Sequence, residues 1–121
     1  MISVRAIIKK NNKYLLIQRS SNSNRFAGFW QFVGGKTDEM NPVQSLKREV
    51  KEETNLDISN IRYFTSTYDK ERSWRTINYL VDTTGEISLQ TEEASNYGWF
   101  SKGEIKNLPI TPDTKKIIKK L

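Results

Sequence analysis

The chain has neither cysteine nor histidine among its 121 residues. Without cysteine there is no disulfide framework, no zinc–thiolate centre and no thiol nucleophile. Without histidine there is no Ser-His-Asp triad, no imidazole metal ligand and no side chain that titrates near neutrality in its unperturbed state. Any catalysis is left to carboxylates, lysines, hydroxyls or a hard cation held by oxygen. No apolar run is long enough to span a bilayer. The opening Met1-Ile2-Ser3-Val4-Arg5 meets charge at once and carries no signal-peptide stretch. A cytoplasmic protein without a membrane partner is therefore expected.

What is present is the composition of a folded protein. Hydrophobic residues make up 36% and charged residues 28%, which excludes a disordered tail. The length suits one domain spanning residues 1–121. Twenty basic against 14 acidic side chains leave a net charge of +6. That balance favours anionic partners such as nucleotides, nucleic acid or acidic surfaces, although solubility alone accounts for it equally well.

Val4 to Lys9 and Tyr14 to Arg19 read as two strands, joined by a turn at Lys10-Asn11-Asn12-Lys13. Ser20 to Asn24 is a polar loop, and Trp30 to Val33 a short strand ending at Gly34-Gly35. Asn41-Pro42 opens the clearest helix, with Asn41 as N-cap, Pro42 in the first turn and Gln44 placed to complete a capping box. Val43, Leu46 and Val50 form its apolar face, and Asn55 is a left-handed C′ residue, so the helix spans Pro42 to Thr54. Ile61 to Tyr68 and Thr76 to Asp82 are strands around a charged turn, and Tyr97 to Phe100 is another. Thr111-Pro112 opens a C-terminal helix with Ile117, Ile118 and Leu121 on one side. This order predicts an α+β fold, a mixed sheet between helices.

The chemistry concentrates in Arg48-Glu49-Val50-Lys51-Glu52-Glu53-Thr54. Glu49, Glu52 and Glu53 stand at i, i+3 and i+4, which puts three carboxylates on one helix face. Such a face is either simply solvated or held for a cation, and three oxygen ligands suit Mg²⁺ or Mn²⁺. Arg48, four residues before Glu52, can hold that carboxylate by a charge-assisted hydrogen bond. Ahead of the helix, Phe29-Trp30-Gln31-Phe32-Val33-Gly34-Gly35-Lys36 runs an apolar strand into two glycines, which let backbone approach a ligand closely.

Taken together, these residues resemble the Nudix (MutT-like) hydrolases, whose box reads G-x5-E-x7-R-E-U-x-E-E-x-G-U, with U aliphatic. Arg48 to Leu56 matches the second half, with Asn55 in place of the glycine, and Phe26-Ala27-Gly28-Phe29-Trp30 and Gly34-Gly35-Lys36 look like the family's lead-in. The upstream glutamate is missing: counting from Gly34 or Gly35 puts Met40 or Asn41 there, with Asp38 and Glu39 as the nearest substitutes. In the family that glutamate supports the arginine and the metal ligands. The resemblance implies a Nudix-type α/β/α sandwich over residues 1–121. It also implies metal-dependent hydrolysis of a pyrophosphate bond in a nucleoside diphosphate linked to X. Within that chemistry, a house-cleaning triphosphate pyrophosphatase acting on oxidised purine nucleotides fits the small size.

By position, Glu49, Glu52 and Glu53 would ligate Mg²⁺ or Mn²⁺ with the Gly34 carbonyl, and Arg48 would orient the carboxylates. Many members place a further glutamate six residues before a tryptophan; Glu93 stands so relative to Trp99 and is a candidate ligand or general base, with Glu92 beside it. Arg19, Arg25 and Lys36 are candidate phosphate contacts, and surface solvation serves Arg25 as well. Phe32, Trp74 and Tyr79 are candidate stacking surfaces for a base, with core packing as the alternative for each. Two other functions stay open: a Nudix-fold nucleotide-binding module without turnover, and a basic nucleic-acid-binding domain, which no recognition motif supports. A nucleotide is the expected partner, and the sequence leaves room for a homodimer.

Overall fold

A computed structural model describes residues 1–37 and 40–121. Strands β1 (Ile2–Lys10) and β2 (Lys13–Arg19) form the predicted hairpin. Its turn residues Asn11 and Asn12 have φ of 52° and 62°, the two positive values that a two-residue turn between right-twisted strands requires. Asparagine is among the few side chains that accept them without glycine.

The next segment departs from the single strand expected over Trp30 to Val33. It divides into β3 (Trp30–Gln31) and β4 (Val33–Lys36), and the break falls at Phe32. β3 pairs with β2, whereas β4 pairs with β1, so the chain crosses from one strand of the hairpin to the other at that residue. Both glycines lie inside β4 rather than ending it, opposite Arg5 and Val4. Gly34 has φ of 155°, and a Cβ there would sit 1.9 Å from the Val4 carbonyl oxygen, so no other residue fits.

Helix α1 spans Pro42–Thr54, the range read from the sequence. Asn41 Oδ1 accepts from the Gln44 N–H, and Asn55 takes the left-handed conformation, φ 67°, with its N–H on the Lys51 carbonyl. β5 (Asp57–Asp69) and β6 (Trp74–Thr84) are longer than the predicted Ile61 to Tyr68 and Thr76 to Asp82. β5 breaks register between Ser59 and Arg62 and again between Tyr63 and Thr65, which scrambles the alternation that marks a strand. β7 (Ala94–Phe100) pairs with β2. A short helix α2 (Lys102–Ile105), absent from the sequence reading, is opened by a Ser101–Glu104 capping box; α3 (Pro112–Ile118) follows at Thr111.

The strand path is β3-β2-β1-β6-β5, with β4 on β1 and β7 on β2. β1 and β6 run parallel and the other ladders antiparallel, which gives the mixed sheet. Alternation along β1 sends Val4, Ala6 and Ile8 to one face, where they meet Leu46 and Val50 of α1. Ile7 points to the other face, with Ile105 of α2 and Ile117 and Ile118 of α3. Helices thus cover both faces, as the α/β/α sandwich requires. Leu46 and Val50 are fully buried, each contributing about 1.5–3 kcal/mol. Their burial fixes α1 in rotation, so its glutamate face is directed to β4.

Candidate active site

Glu49 packs over Gly35 on the face of the glycine strand. A Cβ on Gly35 would lie 2.6 Å from Glu49 Oε2, so glycine is what lets the acid side chain close against the strand. Glu53 is 5% exposed, and its Oε2 is buried without a hydrogen-bond partner. Burial, foremost, pushes its carboxyl up to about 8; Glu49 and Glu93 add repulsion, while Arg5 and a backbone hydrogen bond from Gly34 oppose the rise. The Glu49 carboxyl is also raised, by burial first and by Glu52 and Glu93 after it, against a hydrogen bond from Arg48.

Arg48 stands between two of the acids. Its Nη2 is 3.3 Å from Glu49 Oε1 and its Nε 3.7 Å from Glu52 Oε1. The Glu52 contact is an ion pair and not the hydrogen bond the i, i+4 spacing suggests, because Arg48 turns its donor fork to Glu49. The arginine is more than half exposed, so these pairs orient the acids and add little stability.

A cleft of about 1030 Å³ opens over this corner. Gly34, Glu49, Glu52 and Glu53 form one wall, with Arg19, Lys36, Trp74 and Glu93 around them. Arg25 and Glu92 line it too. Arg19 donates through Nε to the Arg25 carbonyl at 2.9 Å and through Nη1 to Gln31 Oε1 at 3.4 Å. Burial first, and Arg5 second, pull its guanidinium below its ordinary value.

Two predicted stacking residues are elsewhere. Phe32 is fully buried, edge-on to Tyr14 in the core beneath α2 and α3. Tyr79 is packed in the α1-side core against Tyr63, and burial raises its hydroxyl. Tyr79 is carried into its packed layer by β6, and Phe32 turns into the opposite layer at the crossing between β3 and β4, so neither reaches the cleft. Trp74 does reach it, but Lys36 Nζ and Arg72 already lie over its ring, at 5.5 and 4.5 Å from the centroid. Of the positions around the missing upstream glutamate, Met40 is 91% exposed and Asn41 caps α1; Asp38 and Glu39 lie outside the described residues.

The sequence reading missed Arg5 and Asp113, which face the cleft as an ion pair at 3.1 Å. Burial alone would raise the Asp113 carboxyl, but Arg5 and the Thr111 hydroxyl hold it below its ordinary value. The signal was an arginine inside the otherwise apolar run Val4 to Ile8. A charge kept in a buried strand calls for a partner.

Among the described residues no three acids form a ready-made metal centre. The donor set nevertheless fits a hard divalent cation. It is all oxygen, it concentrates like charge, and it leaves Glu53 Oε2 buried and orphaned. Carboxylates in this state close on a cation only once its charge offsets their repulsion.

The NUDIX domain family model matches residues 1–121. The CTP pyrophosphohydrolase of Escherichia coli K12 is 32% identical over 114 residues, covering 90% of this chain and 82% of that protein. The NAD-capped RNA hydrolase NudC of Haemophilus influenzae is 30% identical over 121 residues, 98% of this chain but 45% of NudC, so the chain spans under half of that relative. The crystal structure of a MutT NUDIX hydrolase from Burkholderia pseudomallei superposes with a TM-score of 0.85 at 24% identity, covering 99% of this chain and 96% of that one, a likeness of fold.

Proposed function

The chain belongs to the Nudix family, as a pyrophosphohydrolase acting on nucleotide pyrophosphate bonds, and from that premise we propose that it is a divalent-cation-dependent nucleoside triphosphate pyrophosphohydrolase. The observation that carries the reading is the buried Glu53 carboxylate, unpartnered at Oε2 beside Glu49 and Glu93. A group left so is stable only when protonated or when a cation reaches it.

Glu49, Glu52, Glu53 and Glu93, with the Gly34 carbonyl, are the residues that would hold Mg²⁺ or Mn²⁺. When bound, the ion supplies neutralisation of phosphate charge and a lowered pKa for water. Arg48 orients Glu49 and Glu52. Arg19 and Lys36 bind phosphate oxygens and so align the pyrophosphate for in-line attack. Water attacks one phosphorus, the bridging P–O bond breaks, and nucleoside monophosphate and pyrophosphate leave. Glu93 is the candidate acceptor of the water's proton. The triphosphate class is supported by likeness to the CTP pyrophosphohydrolase, most of whose length this chain covers. Oxidised purine triphosphates are the candidate house-cleaning substrates within that class.

The test is a turnover panel with Mg²⁺: CTP, the other triphosphates, an oxidised purine triphosphate, sugar nucleotides and dinucleotides, with release of pyrophosphate and phosphate followed. The reading expects monophosphate plus pyrophosphate from at least one triphosphate, and a severe loss with Glu53→Gln. If wild type and Glu53→Gln are equally inert across the panel, the chain binds nucleotide without turnover.

A further inference from the structure

Within the cleft, the indole of Trp74 organises two cations. Its Nε1–H donates to Ser3 Oγ at 2.7 Å, and Ser3 is 4% exposed, so the ring plane is fixed from the buried side. The Arg72 guanidinium lies 4.5 Å from the ring centroid and the Lys36 ammonium 5.5 Å. Arg72 is presented by a tight turn: Asp69 Oδ1 accepts from the Glu71 and Arg72 N–H groups at 3.1 and 3.3 Å, and Ser73 follows with φ of 50°. Asp69 Oδ1 is thereby turned to the backbone of the turn, while Asp69 itself also lines the cleft. Among the described residues neither Lys36 nor Arg72 enters an ion pair.

Two like charges held over one aromatic ring, neither of them in an ion pair among the described residues, form a site for an anion. Its place in the cleft says which anion. Lys36 is the residue after Gly35, against which Glu49 packs, and it sits opposite Ser3 in the β1–β4 ladder. Lys36, Arg72 and Trp74 line the same cleft as Glu49, Glu52 and Glu53, so a chain of phosphates held at the carboxylates lies in the cleft that both cations face. A neutral sugar there would leave both cations unanswered.

Resting on the function proposed above, we propose that Lys36, Trp74 and Arg72 form a terminal-phosphate clamp that selects substrates whose group beyond the cleaved bond is itself a phosphate, against those in which it is a neutral sugar. Trp74 acts in it as a positioning residue. It holds the cations and is not a platform for the base.

The experiment compares kcat/KM for a nucleoside triphosphate with kcat/KM for the same nucleoside diphosphate linked to a neutral hexose, in wild type, Arg72→Gln, Trp74→Leu and Trp74→Phe. Arg72 is exposed, so Arg72→Gln tests the clamp without disturbing the core. The ratio of the two values should fall about tenfold in Arg72→Gln and in Trp74→Leu, carried by KM for the triphosphate. Trp74→Phe, which keeps an aromatic face, should recover most of it. In parallel, calorimetry in metal-free buffer measures the Kd of inorganic tripolyphosphate, which should weaken about tenfold in Arg72→Gln. A discrimination ratio and a tripolyphosphate Kd that both stay at wild-type values in Arg72→Gln overturn the clamp and leave the hydrolase reading standing. Arg72-dependent tripolyphosphate binding in a chain that hydrolyses no nucleotide upholds the clamp and removes the hydrolase reading.

Discussion

Replacing Glu53 by glutamine should stabilise the metal-free protein above neutral pH, an outcome opposite to that of most buried substitutions. The native carboxyl titrates at about 8, against 4.5 for an ordinary glutamate. Below pH 4.5 the group is protonated in both folded and unfolded chains and costs nothing. As pH rises to about 8 the unfolded chain ionises freely while the folded chain keeps its proton, so stability falls across that window and stays low above it. At about 1.4 kcal/mol per pH unit, the separation sets a ceiling of about 5 kcal/mol. Relaxation and water entry reduce this to a few kcal/mol, which at roughly 4 °C per kcal/mol is about 10 °C in Tm. The assay is thermal unfolding with chelator from pH 4 to pH 9 for wild type and Glu53→Gln. The two curves should meet near pH 4 and diverge as pH rises, with the variant the more stable. A saturating divalent cation should then reverse the order, since an ion at 100 times its Kd adds about 2.7 kcal/mol to the form that binds it. Wild-type and variant curves that stay parallel across the whole range would mean that the Glu53 carboxyl is not destabilising when ionised.

Three further outcomes follow from the same geometry. Gly35→Ala should fold but lose cation affinity and turnover, because its Cβ meets the movable tip of Glu49; Gly34→Ala meets the Val4 backbone and should fail to fold, as expression and circular dichroism would show. Arg5→Ala should cost about 3 kcal/mol in denaturant unfolding at pH 7 by leaving Asp113 partly buried and unpaired. The difference should shrink as pH falls through the depressed Asp113 pKa, where the native pair is lost as well. Asn55→Ala should cost about 1 kcal/mol through the left-handed cap while Asn55→Gly costs nothing, measured by the same unfolding.

Local chemistry made much of this legible in the sequence. Asn41-Pro42 and Asn55 mark the ends of α1 because caps act within a turn of the residues that make them. The three glutamates lie close together on one helix, and the two glycines come a short way before it and meet it in space, so their spacing carries their meaning. Where the signal was long-range it was lost. Phe32 and Tyr79 are equally aromatic inside or outside a core, and only the packing of α2, α3 and α1 decides. The full length of β5 was hidden by its two irregularities. The Arg5–Asp113 pair joins residues more than a hundred positions apart, so neither could announce the other. Ser101 and Glu104 carried a legible capping box for α2, but its four residues are too few to show a helical period.

Calorimetric titration of Mn²⁺ at pH 7, in buffers of different ionisation enthalpy, asks whether Glu53, with Glu49 and Glu52, is kept for a divalent cation. A carboxyl that titrates at about 8 must give up its proton to the ion. Wild type should bind Mn²⁺ with release of close to one proton, and Glu53→Gln should bind far more weakly and release none. Binding without proton release, or equal binding by both proteins, would contradict that role.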